Sequence, residues 1–395
     1  MKEASGRSIS EKAIVFQWHP AARVFDGAGQ EYYPAGSGAS VTGERPAGVA
    51  IGQAIAAGSF RIGGDGPGPV AGFETLTSGS SGVARRVGRS CASWVASFTV
   101  NAGMFGIGPG VRVAALGRLS QSLAVYGALE AVYLGASLHL LDEVRPDRQR
   151  RILAERGVQV LYATPAQMRL MVEAGGAVLS DLRLVVIGGS KLDLGLRAGL
   201  RAMAPTAQMR EFYGAAEASF ITIADGDTPE DSVGRAYPGV ELRVDGGEIW
   251  VRSPYLFDGY AGDDPGSARW QGGWLSVGEM GYLRDGHLYL SGRAGRMVTV
   301  ADQNVFPEEI EACLQGLGGV QRVAVLPVPD ELRGHHLVAI VMGDARQEAA
   351  ILAAARVKLG PLKAPKRLIW RGDWPVLTSG KTDLVTLARE LAAWR

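Results

Sequence analysis

The 395-residue sequence holds only two cysteines, Cys91 and Cys313, far apart. Neither has a partner at metal-ligand spacing, and a reducing compartment is the default for such a chain. No uninterrupted apolar run approaches the roughly 20 residues that cross a bilayer, so no membrane insertion is expected. The first residues, with Lys2, Glu3, Arg7 and Glu11, lack the apolar centre of a signal peptide. A surplus of charge is missing too: the net charge is +1, which gives no strong field for nucleic acid or a membrane surface. There is no internal repeat and no low-complexity tract. These absences lead to the expectation of a cytoplasmic globular protein.

What is present is 47% hydrophobic residues, 21% charged residues and 55 glycines, over a length that suggests two or three domains. The first 70 residues carry weak periodicity, with short strands and one helix expected at 46–57. From residue 73 the pattern sharpens. A helix is expected over 90–105, with Trp94, Phe98, Ala102 and Phe105 at helical spacing. Apolar strands at 111–116, 158–163 and 182–187 alternate with helices at 123–134, 165–174 and 194–203, which argues for a parallel sheet covered on both faces. Short strands at 240–244, 248–251, 274–277 and 287–290, separated by Gly and Asp turns, read as a β-rich subdomain at about 220–292. From residue 293, helices at 307–314, 347–359 and 384–394 and strands at 320–328, 337–341 and 367–370 make a small α+β domain. The fold class is therefore α/β, with a large domain over 1–292 and a smaller one over 293–395.

Several short segments carry chemistry. Thr77-Ser78-Gly79-Ser80-Ser81-Gly82, followed by Arg85 and Arg86, can curl backbone N–H groups and hydroxyls around an anion. Alone it is only suggestive, since a turn without a ligand can look the same. Tyr213-Gly214-Ala215-Ala216-Glu217 follows a strand-like stretch at 208–212, the position where α/β proteins bind ligands. An aromatic there can stack on a purine, and Glu217 can hold a divalent cation against phosphate; a strand end with a surface glutamate is the plainer alternative. The segment 273–279 ends on Glu279 at a turn, where a carboxylate can accept hydrogen bonds from ribose hydroxyls. Gly292-Arg293 and Pro307-Glu308-Glu309-Ile310-Glu311 follow. Lys381, in Thr378-Ser379-Gly380-Lys381-Thr382, is a mobile point charge on a glycine-containing loop, or an ordinary exposed lysine.

In this order, and together with Ile187-Gly188-Gly189-Ser190 and Gly247-Glu248-Ile249-Trp250-Val251-Arg252-Ser253-Pro254, the segments resemble the adenylate-forming superfamily of AMP-forming acyl- and aryl-CoA synthetases and carrier-protein-loading relatives. The resemblance runs from about Glu74 to the C-terminus. It implies an ATP-dependent acid–thiol ligase that uses ATP, Mg²⁺ and CoA or a phosphopantetheine carrier. Thr77 to Gly82 and Arg85 would cradle the β- and γ-phosphates, with Gly189 and Ser190 on the adenine side. Tyr213 would stack on adenine beside Gly214, and Glu217 would ligate Mg²⁺. Glu279 and Arg293 would hold the ribose. Lys381 would bridge the carboxylate and the α-phosphate. Gln121, Gly188 and Ala215 would lie at the acid. The C-terminal domain would swing as a lid about 293–296, with Gly295 as pivot. The implied partners are a small carboxylic acid and CoA or an acyl carrier protein; a homodimer stays open.

Four departures from the family pattern stand out. Ala84 and Arg85 replace a proline and a lysine. Glu279 replaces an aspartate. Asp302 stands where a glycine lines the thiol path. Only about seventy residues precede the phosphate loop, so a trimmed N-terminal region is expected. The departures at Arg85, Glu279 and Asp302 motivate an alternative, a degenerate relative that binds nucleotide or acyl adenylate without turnover; the presence of both Glu217 and Lys381 argues against it. A kinase-type phosphate loop is disfavoured, since no Gly-Lys-Ser/Thr follows 80–83. Lys358, Lys363, Lys366 and Arg367 could meet the charged end of CoA. The stretch 118–126 has no aspartate for a substrate ammonium, and Ser120, Gln121, Ser122 and Ala124 suit an aromatic or short functionalised acid.

Overall fold

The computed structural model describes residues 14–77, 85–262, 266–301, 303–330, 333–377 and 381–393. Ser78, Gly79, Ser80, Ser81, Gly82, Ala84 and Asp302 lie outside the described residues, as do 378–380.

A fifteen-stranded sheet dominates the described residues. Its parallel part runs from Gln208–Ala215 through Leu184–Gly188, Val160–Ala163, Arg112–Ala115 and Ser137–Leu140 to Arg23–Phe25. Leu184–Gly188 and Val160–Ala163 are buried at every position. Alternate residues of a strand point to opposite faces, and each face has its own core. Val160, Tyr162, Leu184 and Val186 pack with Trp94, Phe98 and Leu129. Leu161, Ala163, Val185 and Ile187 pack with Ile152, Met168 and Leu200.

The helices start where the sequence supplies caps. The Thr164 hydroxyl accepts from the Gln167 N–H at 3.3 Å and the Gln167 side-chain oxygen accepts from the Thr164 N–H at 2.8 Å, a reciprocal box that opens Pro165–Glu173. Asp193 Oδ1 accepts from the Leu196 N–H at 2.9 Å and starts Leu194–Met203.

The structure corrects the expected local geometry at two site segments. Tyr213, Gly214 and Ala215 do not follow the strand but belong to it, because Ser219–Ile223 pairs antiparallel with its last residues, Gly214 opposite Phe220 and Ala215 opposite Ser219. Gly214 permits this approach: a Cβ there would sit 2.1 Å from the Ser219 carbonyl oxygen. Likewise Glu279 opens the strand Glu279–Arg284 instead of closing a turn, and Arg293 ends its partner His287–Arg293. The short strands from Arg235–Ala236 to His287–Arg293 continue the large sheet through Ser219–Ile223, except Gly259–Tyr260, which pairs with Arg86–Arg89 in a separate five-stranded sheet. Two elements with no separate reading in the sequence, Ser137–Leu140 and Pro146–Glu155, complete the layers.

Beyond residue 297, strands Val320–Asp330, Gly334–Gly343 and Arg367–Trp370 form a three-stranded sheet. Pro307–Gln315 and Glu348–Lys363, bent at Gly360 and Pro361, close a further core around Ile310, Leu314, Val325 and Ile351.

One buried polar cluster fixes the large core beneath the site. Glu130 is fully buried, and its carboxylate accepts from Asn101 Nδ2 at 2.8 Å, from the Tyr126 hydroxyl at 3.4 Å and from the Tyr162 hydroxyl. Burial pushes its carboxyl up to about 7. Replacing Glu130 by Ala strands the buried Tyr162 hydroxyl and leaves Asn101 and Tyr126 to their remaining bonds with each other and with Ser97; it should cost about 3 kcal/mol of stability, whereas Glu130→Gln, which keeps an acceptor, should cost about 1 kcal/mol. Urea-unfolding midpoints of the two variants check this order.

Candidate active site

The C-terminal ends of the parallel strands open onto one cavity of about 1800 Å³. It is lined by Thr77, Arg85, Gln121, Ser122, Gly188, Gly189, Ser190, Tyr213, Gly214, Ala215, Glu217, Glu279, Arg293, Lys363 and Lys381, whereas Arg86, Ser120, Ala124, Lys358, Lys366 and Arg367, also offered by the sequence, are not among its lining residues. Segments up to three hundred residues apart in sequence thus meet on one space, as α/β sheets arrange at their carboxyl edge.

At one side, Thr77 and Arg85 close the neck of the glycine-rich loop. The Thr77 N–H donates to the Arg85 carbonyl at 2.7 Å, and the Arg85 N–H donates to Thr77 Oγ1 at 2.9 Å. The Arg85 guanidinium lies 5.8 Å from the Tyr260 ring centroid and donates to Ser267 Oγ at 3.3 Å. Across the cleft, the Tyr260 hydroxyl donates to Glu217 Oε1 at 2.9 Å, and the Glu217 carbonyl accepts from the Phe257 N–H at 2.8 Å. Cation, aromatic and carboxylate are thereby held in one row.

On the opposite wall Glu279 and Arg293 are cross-strand partners, and Arg293 Nε donates to Glu279 Oε1 at 2.9 Å. Glu279 is 9% exposed, and burial raises its carboxyl while Arg293 and Lys381 oppose that rise. Burial lowers the Lys381 ammonium to about 8, Arg293 pushes the same way, and Glu279 and Glu217 push back. The Lys381 carbonyl accepts from the Leu377 N–H at 2.8 Å, and Val376 and Thr382 pair antiparallel beside it. The Tyr213 hydroxyl is buried with no hydrogen-bond partner among the described residues. Such an orphan is costly in a closed core and fits a wall that a polar ligand completes. Among the described residues no group of three or more His, Cys, Asp or Glu could hold a metal alone. One carboxylate plus ligand phosphates is the arrangement Mg²⁺ commonly uses.

The sequence left several lining residues unassigned. Trp94, Tyr126, Phe212, Ser219 and Phe220 build an aromatic end of the cavity, with ring centroids 5.0 Å apart for Trp94 and Tyr126, 5.3 Å for Tyr126 and Phe220, and 4.4 Å for Phe212 and Phe220. Helical spacing marks Trp94 only as a core residue. Lys363, one of the cations the sequence offered for CoA, lines the cavity and pairs with Glu309 at 2.8 Å. No described helix is long and apolar enough to cross a membrane.

Comparison with known proteins fits this geometry. The family model for AMP-binding enzymes matches residues 74–261, and that for the AMP-binding enzyme C-terminal domain matches residues 309–381. The uncharacterized acyl-CoA ligase YhfT of Bacillus subtilis is 33% identical over 328 residues, covering 78% of this chain and 66% of its own length. VraA of Staphylococcus haemolyticus, a putative long chain fatty acid-CoA ligase by name, is 26% identical over 315 residues, covering 78% and 67%. The chain thus spans about two thirds of the length of these curated relatives. ATP-bound MatB from Rhodopseudomonas palustris superposes with a TM-score of 0.72 at 22% identity, covering 89% of this chain and 79% of that one, a likeness of fold. The amide bond synthetase McbA from Marinactinospora thermotolerans gives a TM-score of 0.71 at 25% identity, covering 94% and 80%.

Proposed function

The chain belongs to the AMP-binding enzyme family, and from that premise we propose that it joins a small carboxylic acid to AMP at the expense of ATP, releases pyrophosphate, and passes the acyl group to the thiol of CoA. The observation that carries this reading is the single cavity in which Glu217, Glu279, Arg293 and the partly buried Lys381 face the neck of the Thr77–Arg85 loop.

The chemistry follows from charge. A carboxylate repels nucleophiles; as a mixed anhydride with AMP it gains a good leaving group. Thr77, Arg85 and the intervening loop would bind the β- and γ-phosphates. The Tyr213 ring would lie against adenine, bordered by Gly189, Ser190 and Gly214. Glu279 would accept from the ribose hydroxyls, with Arg293 fixing its carboxylate. Lys381 would place its ammonium between the acid's carboxylate and the α-phosphate, where charge develops during the transfer. Mg²⁺, held by Glu217, would neutralise phosphate charge. Gln121, Gly188 and Ala215 would flank the acid, with the aromatic end of the cavity around its tail, which suits an aromatic or short acid. Residues 293–395 would then act as a lid, turning near Gly295 to withdraw Lys381 and admit the thiol.

A panel of carboxylic acids in a pyrophosphate-release assay, followed by mass detection of the thioester with CoA, tests this reading. Acid-dependent pyrophosphate and a CoA thioester are expected. Nucleotide binding without pyrophosphate would favour the degenerate binder. A carrier-bound phosphopantetheine is the alternative thiol. The amide bond synthetase McbA, 25% identical with 94% of this chain covered, makes an amine acceptor the second reading; amines in place of CoA, with mass detection of an amide, separate the two.

A further inference from the structure

Arg89 lies at the end of the strand Arg86–Arg89, just beyond the glycine-rich loop, and its side chain is among the largest that are fully buried, at 1% exposure. Its guanidinium donates to the carbonyls of Ala216 and Tyr255, and Nη2 also donates to Ser219 Oγ at 2.8 Å. Trp94 Nε1 donates to the same Ser219 oxygen at 2.9 Å. Ser219 itself holds a left-handed backbone, φ +57°, which is disfavoured for a residue with a Cβ and persists only where its surroundings impose it. The Arg89 guanidinium grips both sides of this turn, at the Ala216 carbonyl and at Ser219 Oγ.

Arginine and the indole N–H can only donate. A serine hydroxyl has two acceptor sites and one proton. With both acceptor sites filled by Arg89 and Trp94, the one capacity left to Ser219 is donation. Among the described residues its side-chain hydrogen bonds are those two, so its proton has no protein acceptor. Ser219 and Trp94 both line the cavity, at the end walled by Tyr126, Phe212 and Phe220. A directed donor is therefore set into otherwise apolar walls.

We propose that the Ser219 hydroxyl donates a hydrogen bond to the acid substrate, that Arg89 and Trp94 aim it, and that this donor selects acids carrying an acceptor oxygen beyond the carboxylate. The proposal rests on the adenylation reading above. A site built to hydrogen-bond a substrate group discriminates strongly against the analogue that lacks it, since the donor is then left unpaired. Ser219 would be a substrate-binding residue, and Arg89 a positioning residue that acts through it.

The test is a ratio of kcat/KM between matched acids in pyrophosphate release. The three hydroxybenzoates and three methoxybenzoates are set against benzoate and the methylbenzoates, and tetrahydrofuran-2-carboxylate against cyclopentanecarboxylate. In the unaltered protein at least one oxygen-bearing acid should exceed its counterpart by about tenfold or more. Ser219→Ala should bring that ratio near one, mainly by raising KM for the preferred acid. Since Ser219→Ala also strands two buried donors, Trp94→Phe is measured beside it. That variant keeps Arg89 and Ser219 but frees one acceptor site, so the hydroxyl can turn away and the ratio should fall severalfold. Arg89→Lys should lower the ratio as well, with pyrophosphate release better retained for the oxygen-free acid than for the preferred one. A ratio unchanged in folded Ser219→Ala, or in Trp94→Phe if the alanine variant does not fold, overturns the inference. Turnover of oxygen-free acids with no preference for oxygen-bearing ones overturns it alone. No pyrophosphate from any acid overturns the adenylation reading and this inference together.

Discussion

Lys381→Ala should slow acid-dependent pyrophosphate release by about 10²–10³-fold, the range for removing one preorganised donor from a developing charge. The same variant should still convert a preformed acyl adenylate and CoA to thioester at a rate close to that of the unaltered protein. The asymmetry follows from where the charge is needed. Adenylation builds charge at the α-phosphate, beside which Lys381 would stand; thiol attack occurs after the lid has carried it away. Equal loss of both half-reactions would refute the lid motion. A pH dependence accompanies the mutation. The ammonium carries its charge below its pKa and loses it as pH rises through about 8. The kcat/KM for adenylation, which reports the free protein, should therefore decline above about pH 8. Lys381→Arg, which stays charged, should move that decline upward even if its altered geometry lowers the rate. A profile whose alkaline limb is identical in both proteins would assign the titration to another group.

Glu217→Gln should lower pyrophosphate release by about 10²-fold and raise the Mg²⁺ concentration required for half-maximal rate. The amide oxygen can still accept from the Tyr260 hydroxyl, now at 2.9 Å from Glu217 Oε1, so the local structure is kept while the negative charge is removed. Tyr260→Phe is the complementary variant. It removes the hydrogen bond but not the carboxylate, and its cost should be much smaller. A Mg²⁺ titration of the three proteins checks the order. An unshifted Mg²⁺ dependence in Glu217→Gln would remove this residue from the metal.

The large sheet was legible because strands such as Val160–Ala163 and Leu184–Gly188 are short buried apolar runs between amphipathic helices. The helix expected at 194–203 matches Leu194–Met203. Convergence of Tyr213, Glu279, Arg293 and Lys381 on one cavity was legible only through the order of the motifs, since no local rule links residues so far apart. Strand geometry at the site was misread for one reason. Tyr213 to Ala215 are extended by their pairing with Ser219–Ile223, and a pairing partner is not encoded in the segment it extends. Arg89 was invisible for a related reason. In sequence it is one more cation after the loop, whereas its burial is created by carbonyls of Ala216 and Tyr255, 127 and 166 residues away. Ser219 gives no signal at all until its two donors are placed around it. Ser78 to Gly82 and Asp302 lie outside the described residues, and Lys381→Ala and Glu217→Gln do not depend on them.

The most direct measurement of the central claim is the exchange of labelled pyrophosphate into ATP, followed with Mg²⁺ and without any thiol. If a phosphate-binding neck, a carboxylate and a lysine ammonium act on one ATP to adenylate an acid, label should enter ATP only when a suitable acid is present, and should stop entering in Lys381→Ala. Absence of exchange with every acid in a broad panel, or exchange undiminished by loss of Lys381, would contradict the account.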